Sequence, residues 1–147
     1  LLHGARYRGR VRAIVTIAAH VRRDELTYDQ VLRHKEMYDD GDIPEWMTRF
    51  HGDKAAHLLK CWTEVWQKTL YDSWDISEEI TRIEAPLISL QGSEDAYGLP
   101  SQLDSIGAAV KHARTEMIEG LGHFPQLEDP PQVIKRIKDF LNPYCRG

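Results

Sequence analysis

The sequence predicts an α/β protein with about three parallel strands, flanking helices and a long helical insertion. Residues 11–19 and 86–90 are β-branched and almost continuously apolar, and a shorter run at 115–118 is closed by Gly120 and Gly122. Runs of this kind suit strands covered on both faces, as in a parallel sheet. Helix signatures follow the second and third runs, so the order is strand, helix, strand, helix, and the connections are expected to be right-handed crossovers within one sheet. Residues 20–83, between the first two runs, contain no convincing strand.

The insertion reads as three helices. Thr27 with Gln30 resembles a capping box for TYDQVLRHKEMYDD, Asp42 and Pro44 start a short helix, and Asp53 caps a longer one through residue 68. Leu58, Trp62, Val65, Trp66 and Thr69 fall on one face of that longer helix. Four tryptophans (Trp46, Trp62, Trp66, Trp74) lie within 29 residues. They either pack the helical layer or wall an apolar ligand pocket, since large aromatics provide area with few rotors to immobilise. Ser77 starts a further turn of helix. Beyond the second strand Pro100 opens the helix SQLDSIGAAV. Beyond the third, Asp129 caps a helix begun by Pro130 and Pro131, with Val133, Ile134, Ile137, Phe140 and Leu141 on one stripe.

Composition narrows the function classes. Of 147 residues, 41% are hydrophobic and 29% charged, which describes a folded chain rather than a disordered one. No apolar run approaches the ~20 residues of a membrane span, so no membrane contact is expected. The chain starts LLHGARYRGRVRAIV, without Met and without the order of a secretory signal, and reads like the middle of a protein. Six arginines and no acid occur up to Arg23, whereas 13 Lys and Arg stand against 23 Asp and Glu in the rest. Only Tyr7 interleaves the arginines, so nucleic-acid binding is not expected and they read as solvated ends of a helix and a strand. Cys61 and Cys145 are too few for a disulfide framework and lack metal spacing; they fit a reducing, cytoplasmic setting. Cys61 is expected to pack in a core and Cys145 to lie in a fraying tail. His34, His51, His57 and His112 show no paired ligand pattern, so no metal and no cofactor are expected.

Two loops carry the chemistry. LQGSEDAYG follows the second strand and EGLGHFPQLEDP the third. In an open parallel sheet the loops beyond the carboxyl ends of the strands line the functional crevice, so Asp95 and His123 are expected on one edge. Asp95 alone is a turn residue and His123 alone a loop histidine. As a pair they are the two residue types that general-base catalysis needs, an acid orienting an imidazole. His20, directly after the first strand, and Trp62, Trp66 and Tyr97 are candidate substrate-binding residues.

These stretches resemble the α/β-hydrolase fold family. IEAPLISLQGSEDAYG is similar to the family's strand and turn bearing the triad acid, with Asp95 in the acid's place. MIEGLGHFPQLEDPPQVIKRIKDFL is similar to its last strand, histidine loop and C-terminal helix, with His123 in the histidine's place. ARYRGRVRAIVTIAAH resembles the helix end and strand that follow the nucleophile elbow. The resemblance implies that residues 1–19 and 84–147 are the C-terminal part of the hydrolase core, about half of the complete fold, and that 20–83 is the helical cap.

The family's order is nucleophile, acid, histidine, with the nucleophile on a G-x-S-x-G turn. No such motif occurs in the sequence. Ser89 lies in a strand run, Ser93 in the acid turn, and Ser73 and Ser77 in the insertion. The resemblance implies an elbow upstream of Leu1, bearing Ser or, as in the dehalogenase and epoxide-hydrolase branches, Asp. It also implies that the chain supplies acid and base to an esterase-like hydrolase of small apolar substrates and is inactive alone. The alternative is a non-catalytic ligand-binding or self-associating module of this fold. With no strand on its other side, the strand at 11–19 is an apolar edge, expected to pair with a missing N-terminal half or with a second copy.

Overall fold

The computed structural model describes residues 1–67 and 71–144. In chain order the elements are α1 (Leu2–Arg6), β1 (Ile14–Ile17), α2 (Glu25–Asp39), α3 (Glu45–His51), α4 (Ala55–Trp66), α5 (Ser77–Ile80), β2 (Leu87–Gly92), α6 (Ser101–Ala109), β3 (Arg114–Ile118), α7 (Pro125–Glu128) and α8 (Pro130–Leu141), with 3-10 turns at Arg8–Arg10 and Gly52–Lys54. The chain divides into two compact units, one of Leu1–Arg22 with Asp75–Gly147 and the other of Arg23–Trp74. The expected end of the long insertion helix at residues 68–69 and the expected tail position of Cys145 lie outside the described residues.

The first unit is a parallel sheet in the order β1-β2-β3, with Ile14 opposite Leu87 and Ile88 opposite Arg114. Every residue of the central strand β2 is buried, its apolar Leu87, Ile88 and Leu90 and also the polar Ser89 and Gln91. Strand side chains alternate between faces, and β2 feeds two cores accordingly. Leu87 packs with Ala5, Val21, Ile80, Ile83, Ile106 and Val110, so α1, α5 and α6 cover one face. Ile88 and Leu90 pack with Ile118, Val133 and Phe140 under α8 on the other. Asp129 caps α8 as expected, its carboxylate accepting the N–H of Gln132 at 3.1 Å. Ile134 is exposed rather than on the core stripe; Ile137 and Leu141 complete it.

β1 is shorter than residues 11–19 and only half-buried. Its ladder runs from the Ile14 N–H on the Pro86 carbonyl to the Ala18 N–H on the Leu90 carbonyl, each at 2.8 Å. Ala18 then takes φ of +49°, which turns the chain out of the sheet. The next residues are seated by Gln102 of α6, whose Oε1 accepts the N–H of Val21 at 2.9 Å and whose Nε2 donates to the carbonyl of Arg22 at 2.8 Å. β3, at the opposite edge, is mostly exposed.

The second unit is helical. Asp24, not Thr27, caps α2: its carboxylate accepts the Thr27 N–H at 2.7 Å, so Thr27 is inside the first turn. The short helix starts after Pro44, which is itself the N-cap; no side chain caps it, so Asp42 does not share in starting it. Asp53 does not cap α4, because a 3-10 turn runs straight into the helix and the Ala55 N–H is taken by the Gly52 carbonyl. The buried stripe of α4 is Ala55, Leu59 and Thr63, one helical face at i, i+4 and i+8, while Leu58 and Val65 are exposed. Ala55 and Leu59 pack with Met47 of α3, and Trp62 of the predicted face packs against this cluster, so the predicted and the buried faces overlap only in part. Cys61 is a free, exposed thiol rather than a core residue, about 200° around the helix from Leu59. No helix among the described residues is long and apolar enough to cross a membrane.

Candidate active site

Parallel pairing brings the ends of β2 and β3 side by side, and the two loops that follow are tied together by backbone bonds. The Ser93 N–H donates to the Ile118 carbonyl and the Glu94 N–H to the Leu121 carbonyl, both at 2.9 Å. The Ser93 hydroxyl accepts the N–H of Gly120, also at 2.9 Å. Ser93 therefore has a structural role in this turn. Gly92 makes the approach possible: a Cβ there would stand 2.0 Å from the carbonyl oxygen of Leu121 and 2.3 Å from that of Gly122.

Held in this way, Asp95 and His123 meet. His123 Nδ1 lies 2.8 Å from Asp95 Oδ1, with the acid's side chain 1% exposed and the imidazole 23% exposed. The same Oδ1 accepts the N–H groups of Tyr97 at 2.8 Å and Gly98 at 3.2 Å, so the turn folds around the carboxylate. Burial by itself would push the Asp95 carboxyl up. The His123 hydrogen bond and charge, with the Tyr97 and Gly98 N–H groups, outweigh it and hold the group below its ordinary value. An ionised carboxylate only accepts, so Nδ1 carries a proton, and in the neutral ring the lone pair is then on Nε2. That is the tautomer a general base requires.

Gln91 is the site residue that motif reading missed. Its buried side chain donates from Nε2 to Asp95 Oδ2 at 3.2 Å and to the Gly98 carbonyl at 2.7 Å. It thus holds the second oxygen of the acid and the far side of the acid turn. The available signal was an amide directly after the run PLISL, since a buried polar group needs partners.

Three rings surround the imidazole. Tyr97 is 4.8 Å away between centroids, Phe124 4.9 Å and His20 6.2 Å. The Tyr97 phenol is pushed up by burial and by the charge of Asp95, and stays neutral. His20 comes close to the acid turn because residue 98 is glycine: a Cβ there would meet His20 Nε2 at 3.0 Å. Asp95, His123, His20 and Tyr97 are thus brought together in one unit. Trp62 and Trp66 belong to the helical unit, where Trp62 stands edge-on to His34 at 5.3 Å and Trp66 packs with Tyr71 and Trp74. Among the described residues, no three of His, Cys, Asp and Glu are grouped to hold a metal ion.

No protein-family model matches the sequence, and no curated protein matches it. Solved structures do. A bacterial membrane phospholipase A superposes with a TM-score of 0.74 at 19% identity, covering 99% of this chain and 54% of that one. MGS-M2, an α/β-hydrolase enzyme from a deep-sea metagenome library, gives 0.68 at 13% identity, covering 96% and 60%. The enol-lactonase from Burkholderia xenovorans LB400 gives 0.64 at 17%, covering 95% and 59%. The chain thus spans a little over half the length of the structures it matches. Likeness at such low identity is likeness of backbone, and with the parallel sheet, the crossover through α6 and the layer formed by α8 it shows that this chain has part of the α/β-hydrolase fold.

Proposed function

We propose that the chain supplies the acid and the base of an esterase-like hydrolase, Asp95 orienting His123 and His123 taking a proton through Nε2. The observation that carries the reading is the 2.8 Å bond between Nδ1 and a buried carboxylate whose two oxygens are both occupied by donors. In this reading the nucleophile and its oxyanion donors come from outside these residues, because the sequence has no G-x-S-x-G turn. His123 would deprotonate that nucleophile and then activate the hydrolytic water, while Asp95 stabilises the imidazolium formed in each step. The substrate class is a small apolar ester or lactone, and the helical unit between β1 and β2 takes the cap's place in the chain order. The test is p-nitrophenyl ester hydrolysis by the protein together with an elbow-bearing segment. His123→Ala is expected to lower kcat/KM by at least about 10³; unchanged turnover would exclude His123 as the base. The second reading, a self-associating module, draws on the sheet edge at β1, which among the described residues pairs with β2 alone.

A further inference from the structure

We propose that Glu128 is a positioning residue that clamps the backbone on both sides of His123 and so aims its ring at Asp95. The inference rests on the reading of Asp95 and His123 as acid and base. Glu128 ends α7, the short helix that begins two residues after His123, and its carboxylate reaches back to the start of that helix. Oε2 accepts the N–H of Gly122 at 2.6 Å and Oε1 the N–H of Phe124 at 3.1 Å. The two oxygens thus bracket the residue between them. The bond to Phe124 also satisfies an N-terminal donor of α7, where no side chain at the N-cap does so.

The loop needs such a restraint. Gly120 and Gly122 give it the softest backbone available, and His123 belongs to no regular element. A catalytic ring has to be held to within roughly 0.5 Å by its supporting shell. Hydrogen bonds to an ionised carboxylate are about twice as strong as neutral ones. A Cβ on Gly122 would stand 3.1 Å from Oε1, a tight contact that the glycine avoids.

The experiment is NMR of the 15N-labelled protein, following the His123 Nδ1–H resonance and the exchange of the Gly122 and Phe124 amides. The unsubstituted protein is expected to show a protected Nδ1–H, absent in Asp95→Asn. Glu128→Ala is expected to lose it and to speed exchange of both amides by at least about tenfold. Glu128→Gln, with one acceptor oxygen left, is expected to keep one amide protected. Glu128 is exposed, so these variants should fold, and a melting curve verifies that they do. An unchanged Nδ1–H and unchanged amides in Glu128→Ala overturn the clamp alone. A protein whose Nδ1–H is missing before any substitution overturns the Asp95–His123 pairing, and the clamp with it.

Discussion

The carboxylate of Asp95 is held by four donors, three on Oδ1 and Gln91 on Oδ2. Its native pKa lies below the ordinary 3.8, so the folded state favours the ionised form more than the unfolded chain does. The stabilisation is present in full above the unfolded value and is lost as pH falls through the lowered native one. Urea midpoints should therefore drop as pH is taken below about 4, with a smaller drop in Asp95→Asn; equal acid sensitivity of the two proteins would refute this. Where β1 leaves the sheet, Ala18 has a left-handed backbone that costs an L-residue about 1 kcal/mol. Ala18→Gly is expected to leave stability unchanged or raise it by about 0.5–1 kcal/mol in urea titrations, where Gly ordinarily costs that much in a strand or helix. A loss of more than about 1 kcal/mol would mean that the Ala18 methyl contributes packing that outweighs the strain. Asp95 and His123 were legible because each stands just after an apolar strand run. Gln91 and Ala18 were not, because their roles depend on which atoms surround them.

Among the elements, β2 and the two loops beyond β2 and β3 decide the site. The tightest point is Gly92, where a Cβ would collide with backbone oxygens that no rotamer change can move. Gly92→Ala is expected to destabilise the protein by about 1–3 kcal/mol and to weaken the Asp95–His123 bond; an unchanged denaturation midpoint would show that the loops are less closely apposed. Boundaries were legible where chemistry is local, as with Asp129 at the start of α8. They were misread where another residue or turn took the same role, as with Asp24 in place of Thr27 and the 3-10 turn in place of an Asp53 cap. The inner face of α4 was legible only in part: Trp62 packs against the buried cluster, while Ala55 and Thr63 give no hydrophobic signal of their own.

For the whole molecule, β1 is an edge. Ile14 and Ala18 turn their N–H groups toward β2, so the alternation of the strand points those of Val15 and Ile17 at the open side. Among the described residues no strand pairs with that side, and an apolar edge of this kind is a template for another strand. Size-exclusion chromatography with light scattering is expected to find the 147-residue chain larger than a monomer. A well-behaved monomer would count against pairing through this edge. The sequence by itself determined the strand and helix order, the α/β class and the two residues that pair, because periodicity, caps and strand-end loops are written within a few residues of one another. Only the tertiary structure decided how β1 ends, which face of α4 is inside, and what holds Asp95 and His123 in register. Those depend on atoms distant in sequence meeting within 2–3 Å, and local pattern carries no record of such distances.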